Sequence, residues 1–143
     1  MSTAYQKDVA AWASEQAALL RAGQLSTIDT EHIAQEIEDV GKSEQRELAS
    51  RMAVLLAHLL KWQCQPERRS KSWTLTIAVQ RKDVAYILAE SPSLRIKFDD
   101  AAWSDVVWGR AVVIAANETG LDVFPDSCPW PMERVLSDTF LPS

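Results

Sequence analysis

Seven carboxylates crowd the segment from Asp29 to Glu47, against two basic residues, Lys42 and Arg46. Glu36 and Asp39 are three apart, and His32 precedes Glu36 by one helical turn, so a helix puts them on one face. A helical bundle builds metal sites from inward-facing Glu and His side chains supplied by several helices. The metal reading gathers Glu36, Asp39, Glu44 and His58 around a divalent ion, with Asp105 as the main later carboxylate. The Glu-x-x-His pair of carboxylate-bridged bundles is missing, and the chain has two histidines in all. A solvated, capped helix face is the plainer reading, and no metal or other cofactor is expected.

His58 is the one ionisable group in the middle of the longest apolar run. Histidine titrates near neutrality, which suits a general base. The plainer account is a polar tie. On the helix wheel His58 shares a shoulder with Glu44, Glu47 and Arg51, and a buried imidazole needs a hydrogen-bond partner. Cys64 falls on the opposite side of that helix, so the two form no Cys–His pair. Cys128 lies between Ser127 and Pro129 with no identifiable base.

The third constellation is basic. From Lys61 to Lys82 stand Lys61, Arg68, Arg69, Lys71, Arg81 and Lys82 against one acid, Glu67, with Trp62 and Trp73 flanking the loop. Aromatic rings interleaved with cations can stack bases and track phosphates, which makes Arg68, Arg69 and Lys71 the nucleic-acid candidates. The net charge of the whole chain, −5, opposes that reading. The acidic and basic blocks are instead expected to neutralise each other, with Arg68 or Arg69 pairing Glu36, Glu38 or Asp39 and the tryptophans in the core. No Gly-rich phosphate loop, nucleophile elbow or His-Glu-x-x-His helix is present, so nothing supports an enzyme.

The elements that must position these groups are helical. Glycines are few, at four, hairpin dipeptides are missing, and Ala, Leu, Glu and Arg fill the long stretches between breakers. A length of 143 residues fits one domain. A first helix is expected from Thr3, with Gln6 as capping-box partner, ending at Gly23. A second starts after Asp29 as N-cap, with an Ile28–Ile33 staple. Gly41 is expected to break or strongly kink the chain. A buried helix then carries Leu48, Met52, Leu55, Leu59 and Trp62 down one face, with Val54, Leu56 and Leu60 off it, and stops before Pro66. Further helices begin near Ser70 or Ser72, at Ser91-Pro92, and at Asp99 or Asp100, the last closed by Gly120. Three prolines between Pro125 and Pro131 then rule out a long helix, and Phe124 and Trp130 are expected to plug the bundle's side.

The N-terminus does not read as a signal peptide, and no run approaches the ~18 apolar residues of a membrane span. Two cysteines are too few for a disulfide framework, and free thiols in a reducing cytoplasm are expected.

Three stretches in this order, IAQEIEDVGKSEQRELASRMAVLLAHLLKWQCQPERRSKSW, ESPSLR and ETGLDVFPDSCPW, resemble the bacterial family catalogued as domain of unknown function 29. The likeness spans nearly the whole chain. It implies an all-α helical bundle of about five main helices with an irregular Pro-rich tail, from a bacterium. It implies no activity and no site residues. The chain departs from the family at His32, where members more usually carry an uncharged amide. The favoured reading is a non-catalytic, cytoplasmic interaction or assembly module, through a protein partner or self-association. A metal-dependent or hydrolytic bundle and a nucleic-acid-associated protein are the alternatives.

Overall fold

A computed structural model describes residues 3–143, and every regular element in it is helical. Four long α-helices run over Val9–Arg21 (α1), Thr30–Cys64 (α2), Lys71–Glu90 (α3) and Ala101–Thr119 (α4); a short one covers Met132–Val135 (α5). 3₁₀ segments at Pro66–Arg68 and Pro92–Asp99 lead into α3 and α4. Packing divides the chain into two compact units, one up to Ser43 and one from Glu44 to Ser143, and α2 supplies residues to both.

The first unit begins later as a helix than its sequence suggests. Asp8, not Thr3, is the N-cap: its side chain accepts from the Ala11 amide at 3.0 Å. Thr3 is spent elsewhere, donating its amide and hydroxyl to the Glu15 carboxylate at 2.7 and 2.5 Å. At the other end the Gln24 amide reaches back to the Leu19 carbonyl and the Gly23 amide to Leu20, at 3.0 and 3.1 Å. This Schellman closure needs a left-handed residue at Gly23, whose φ is 74°.

The expected break at Gly41 does not occur; α2 passes through it as one helix. The reason is legible in the phase of the apolar positions. Ile33, Ile37, Val40 and Leu48 stay on one stripe across the glycine, and an interior glycine costs only about 1 kcal/mol relative to alanine.

The second unit is built around the far half of α2. Leu48, Met52, Leu55, Leu59 and Leu60 are wholly buried and Leu56 nearly so. Ile77, Val84 and Leu88 of α3 and Val107, Trp108, Ala111 and Ala115 of α4 close around them. Ser70 caps α3 through the Trp73 amide, and Asp100 caps α4 through the Ala102 and Trp103 amides. Ser91 makes no side-chain cap, and the segment it opens is 3₁₀ rather than α. Gly120, with φ 72°, closes α4.

The tail packs as expected. Phe124 and Trp130 are half-buried against the core, Trp130 edge-on to Trp108 and Phe140. Trp108 Nε1 donates to the Pro125 carbonyl at 2.9 Å, so a ring in the core fixes a proline in the loop. Deeper still, Arg81 of α3 is 6 % exposed and ties two tail carbonyls, Val135 at 2.9 Å through Nε and Phe140 at 2.6 Å through Nη2.

A Cβ added at Gly41 meets nothing within 4 Å and the backbone there is helical. Gly41→Ala is therefore expected to raise stability by about 0.5–1 kcal/mol, and Gly41→Pro to lower it by about 3 kcal/mol or more. Urea titrations followed by far-UV circular dichroism check both; a destabilising alanine would mean that α2 is not continuous there.

Candidate functional site

The carboxylates singled out for a metal have other uses. Glu36 accepts a hydrogen bond from the Tyr5 hydroxyl, and Asp39 accepts one from Gln35 Nε2 at 3.2 Å. Glu44 and Asp105 are exposed. Among the described residues no three His, Cys, Asp or Glu side chains gather as a metal-binding group, so Glu36, Asp39, Glu44 and His58 are not brought together.

His58 is tied to its own helix. Its Nδ1 donates to the Val54 carbonyl one turn back, at 2.9 Å, so the partner is neither a shoulder carboxylate nor a neighbouring helix. The shoulder's charges pair without it: Arg51 Nε sits 2.8 Å from Glu47, and its Nη1 reaches Asp83 of α3 at 3.4 Å. Cys64 and Cys128 are both free, and burial pushes both thiols above their ordinary pKa, the opposite of what an activated nucleophile needs.

The basic strip loses half its cations to internal structure. Lys61 is buried at 9 % exposure, pairs with Glu118 at 2.7 Å and lies over the Trp73 ring. The partners expected for Arg69, Glu36, Glu38 or Asp39, belong to the other unit; within its own, Arg69 donates to the Trp62 carbonyl at 2.8 Å and covers the Trp62 ring. Arg81 is buried under the tail. Arg68, Lys71 and Lys82 remain exposed. Both tryptophan faces that would stack a base are already taken by a cation of the same strip.

Two features escaped the sequence. The first is a polar-aromatic cluster in the first unit. Asp29 Oδ2 accepts from Trp12 Nε1 at 3.0 Å and from His32 Nδ1 at 2.7 Å, while its amide donates to Gln16 Oε1 at 2.7 Å. Tyr5 stacks on His32 with centroids 4.2 Å apart and presents its ring to the edge of Trp12. Trp12 and Gln16 are both 3 % exposed. The imidazole and indole bonds hold the Asp29 carboxyl below its usual range; the carboxylate beside the Tyr5 hydroxyl raises the phenol. Asp29 reads in the sequence as a cap and it is one, accepting from the His32 amide. Its second oxygen holds α1 to α2, and no local pattern announces that, because Trp12 is 17 residues away.

The second feature is a groove of about 650 Å³ between α2 and α4. Ala53 and Val54 line one side, Val106, Gly109, Val113 and Ile114 the other, and Arg110 is its charged member. Beside it a smaller depression shares Val106 and Arg110 and adds Arg46. Val106 and Val113 are 55 % and 58 % exposed. Their seven-residue spacing was legible; that they stay more than half exposed among the described residues was not.

The Asp29 carboxylate yields a pH prediction. A carboxyl whose folded pKa is depressed stabilises the fold above its unfolded pKa, and that contribution fades as pH falls through the folded value. Asp29→Asn keeps a competent cap but loses the charge facing His32. Wild type is therefore expected to be the more stable at neutral pH, with the gap closing as pH drops below the ordinary carboxylate range. Urea midpoints of both proteins across that range check it; a gap independent of pH would place the effect elsewhere.

No helix among the described residues is long and apolar enough to cross a membrane. None of the curated proteins and none of the solved structures matches the chain. A family model does, over residues 4–141, the span that holds α1 to α5, the Asp29 cluster and the α2–α4 groove. The chain belongs to the domain of unknown function DUF29.

Proposed function

We propose that the protein is a non-catalytic self-association module, in which the α2–α4 groove of one copy receives the acidic stripe of α2 from a second. The observation that carries this is the groove itself: an apolar trough floored by Gly109 and Ala53 and flanked by half-exposed valines. Troughs of this form take the apolar face of an amphipathic helix.

Charge selects the occupant. The charged residues of the groove and of the depression beside it are Arg110 and Arg46, and neither enters an ion pair among the described residues. Two grooves laid face to face would oppose like charges. An apolar helix flanked by carboxylates fits instead. The chain carries one: Ile37 and Val40 are 67 % and 66 % exposed, with Glu38, Asp39 and Glu44 beside them. His58 is bonded to its own helix, burial raises both thiol pKa values, and no metal-binding group of three forms among the described residues.

Sedimentation equilibrium of the full chain tests the reading. A reversible dimer is expected in the micromolar range, weakened at least about tenfold, or about 1.4 kcal/mol, by Val113→Glu in the groove and equally by Ile37→Glu on the stripe. Both positions are exposed, so both variants are expected to fold. A chain that stays monomeric at all concentrations, or a dimer indifferent to either change, would overturn it.

A further inference from the structure

We propose that the cavity between α3 and the tail binds a small organic carboxylate with a short apolar body. The cavity, about 340 Å³, is lined by Thr74, Ile77, Ala78, Arg81 and Lys82 of α3 and by Asp138, Thr139 and Leu141 of the tail, and the Thr74 hydroxyl is already bonded to the Lys71 carbonyl. It is separate from the groove and lies wholly within the second unit.

Arg81 is the reason. A guanidinium 6 % exposed in the middle of a helix is costly unless an anion balances it. Arg81 enters no ion pair among the described residues. Its partners are two neutral carbonyls, taken by Nε and Nη2. A guanidinium carries five N–H donors, so the planar fork keeps capacity beyond those two bonds, and its residue borders the cavity. Asp138 lies close enough to favour the charged form, against burial, which lowers it. The site is therefore a mostly buried cation with donor capacity beyond its two carbonyl bonds, beside a second and exposed cation, Lys82.

The lining sets the ligand class. Ile77, Ala78 and Leu141 give one wall no polar partner to offer, so a bare inorganic anion leaves that wall unfilled. Asp138 on the rim repels a dianion such as a phosphate monoester more than a monoanion. A carboxylate matches the guanidinium fork, and a branched aliphatic body of a few carbons matches the wall. The same chemistry occurs in a free short-chain acid and in the C-terminal leucine of a polypeptide.

The probe is 3-methylbutanoate, titrated into uniformly ¹⁵N-labelled full-length protein to millimolar concentration, with 3-methylbutanamide as the neutral control and a tetrapeptide ending in a free leucine carboxylate as the second source. The expected result is a saturable shift of the Arg81 side-chain Nε–H resonance and of the Thr139 and Leu141 amides with the acid, and none with the amide. Binding by the tetrapeptide at higher affinity than by the acid assigns the site to polypeptide termini, and the reverse to free acids; both support the proposal. Lys82→Ala, at an exposed position, is expected to weaken binding about fivefold or more, and Ala78→Phe, also exposed, to abolish it by filling the cavity. No saturable shift with either carboxylate, equal shifts with the neutral amide, or an affinity unchanged in both variants would overturn it. None of these outcomes depends on the oligomeric state.

Discussion

A helix that is apolar over most of its circumference must be covered over most of it. From Leu48 to Leu60, α2 buries six large aliphatic side chains almost completely. At about 1.5–3 kcal/mol for each, their burial is comparable with the whole net stability of a typical domain, about 5–15 kcal/mol. The rest of the second unit follows from this. α3 and α4 cover two flanks of the helix, and the tail contributes Phe124, Trp130, Met132, Val135 and Leu136 to the same core, although its prolines forbid a long helix. Most polar groups that enter find partners: Lys61 finds Glu118, and Trp108 finds the Pro125 carbonyl, while Gln80 Oε1 stays buried without one among the described residues.

The first unit solves the same problem with a different chemistry. It has little aliphatic core of its own, and Trp12, its buried aromatic, is held by hydrogen bonding and ring packing as much as by burial. Asp29 serves as cap, hydrogen-bond acceptor for the indole and counterpart of His32 at once. One carboxylate in three roles ties the cap, the indole and the imidazole to the same point and so positions α1 on α2.

What could be read from the sequence was what depends on neighbours a few residues apart. The caps at Asp29, Ser70 and Asp100, the glycine closures at Gly23 and Gly120, and the buried character of Leu48–Leu60 all rest on local spacing. Gly41 was misjudged because a single residue's propensity was weighed above a stripe already in phase on both sides. Thr3 was misjudged because its capping pattern is matched by a better acceptor at Asp8. The candidate sites fared differently, since each needed to know what lies far along the chain. Arg81 counted as one more cation in a basic strip until Val135 and Phe140, 54 and 59 residues on, turned it into a buried tie. The groove was equally invisible, because an exposed valine and a buried one have the same sequence signature.

The same distance gives Arg81 a role in time as well as in space. While the chain is being synthesised, α2 and α3 can be made and can collapse together long before Phe140 exists. At roughly 5–20 residues per second, the 59 residues separating Arg81 from Phe140 occupy about 3–12 s. Throughout that interval the nascent helices carry a cation at a position that the finished protein seals. Collapse onto an apolar surface in that interval would leave the charge without the Val135 and Phe140 carbonyls, so the tail has to arrive before that part of α3 is satisfied.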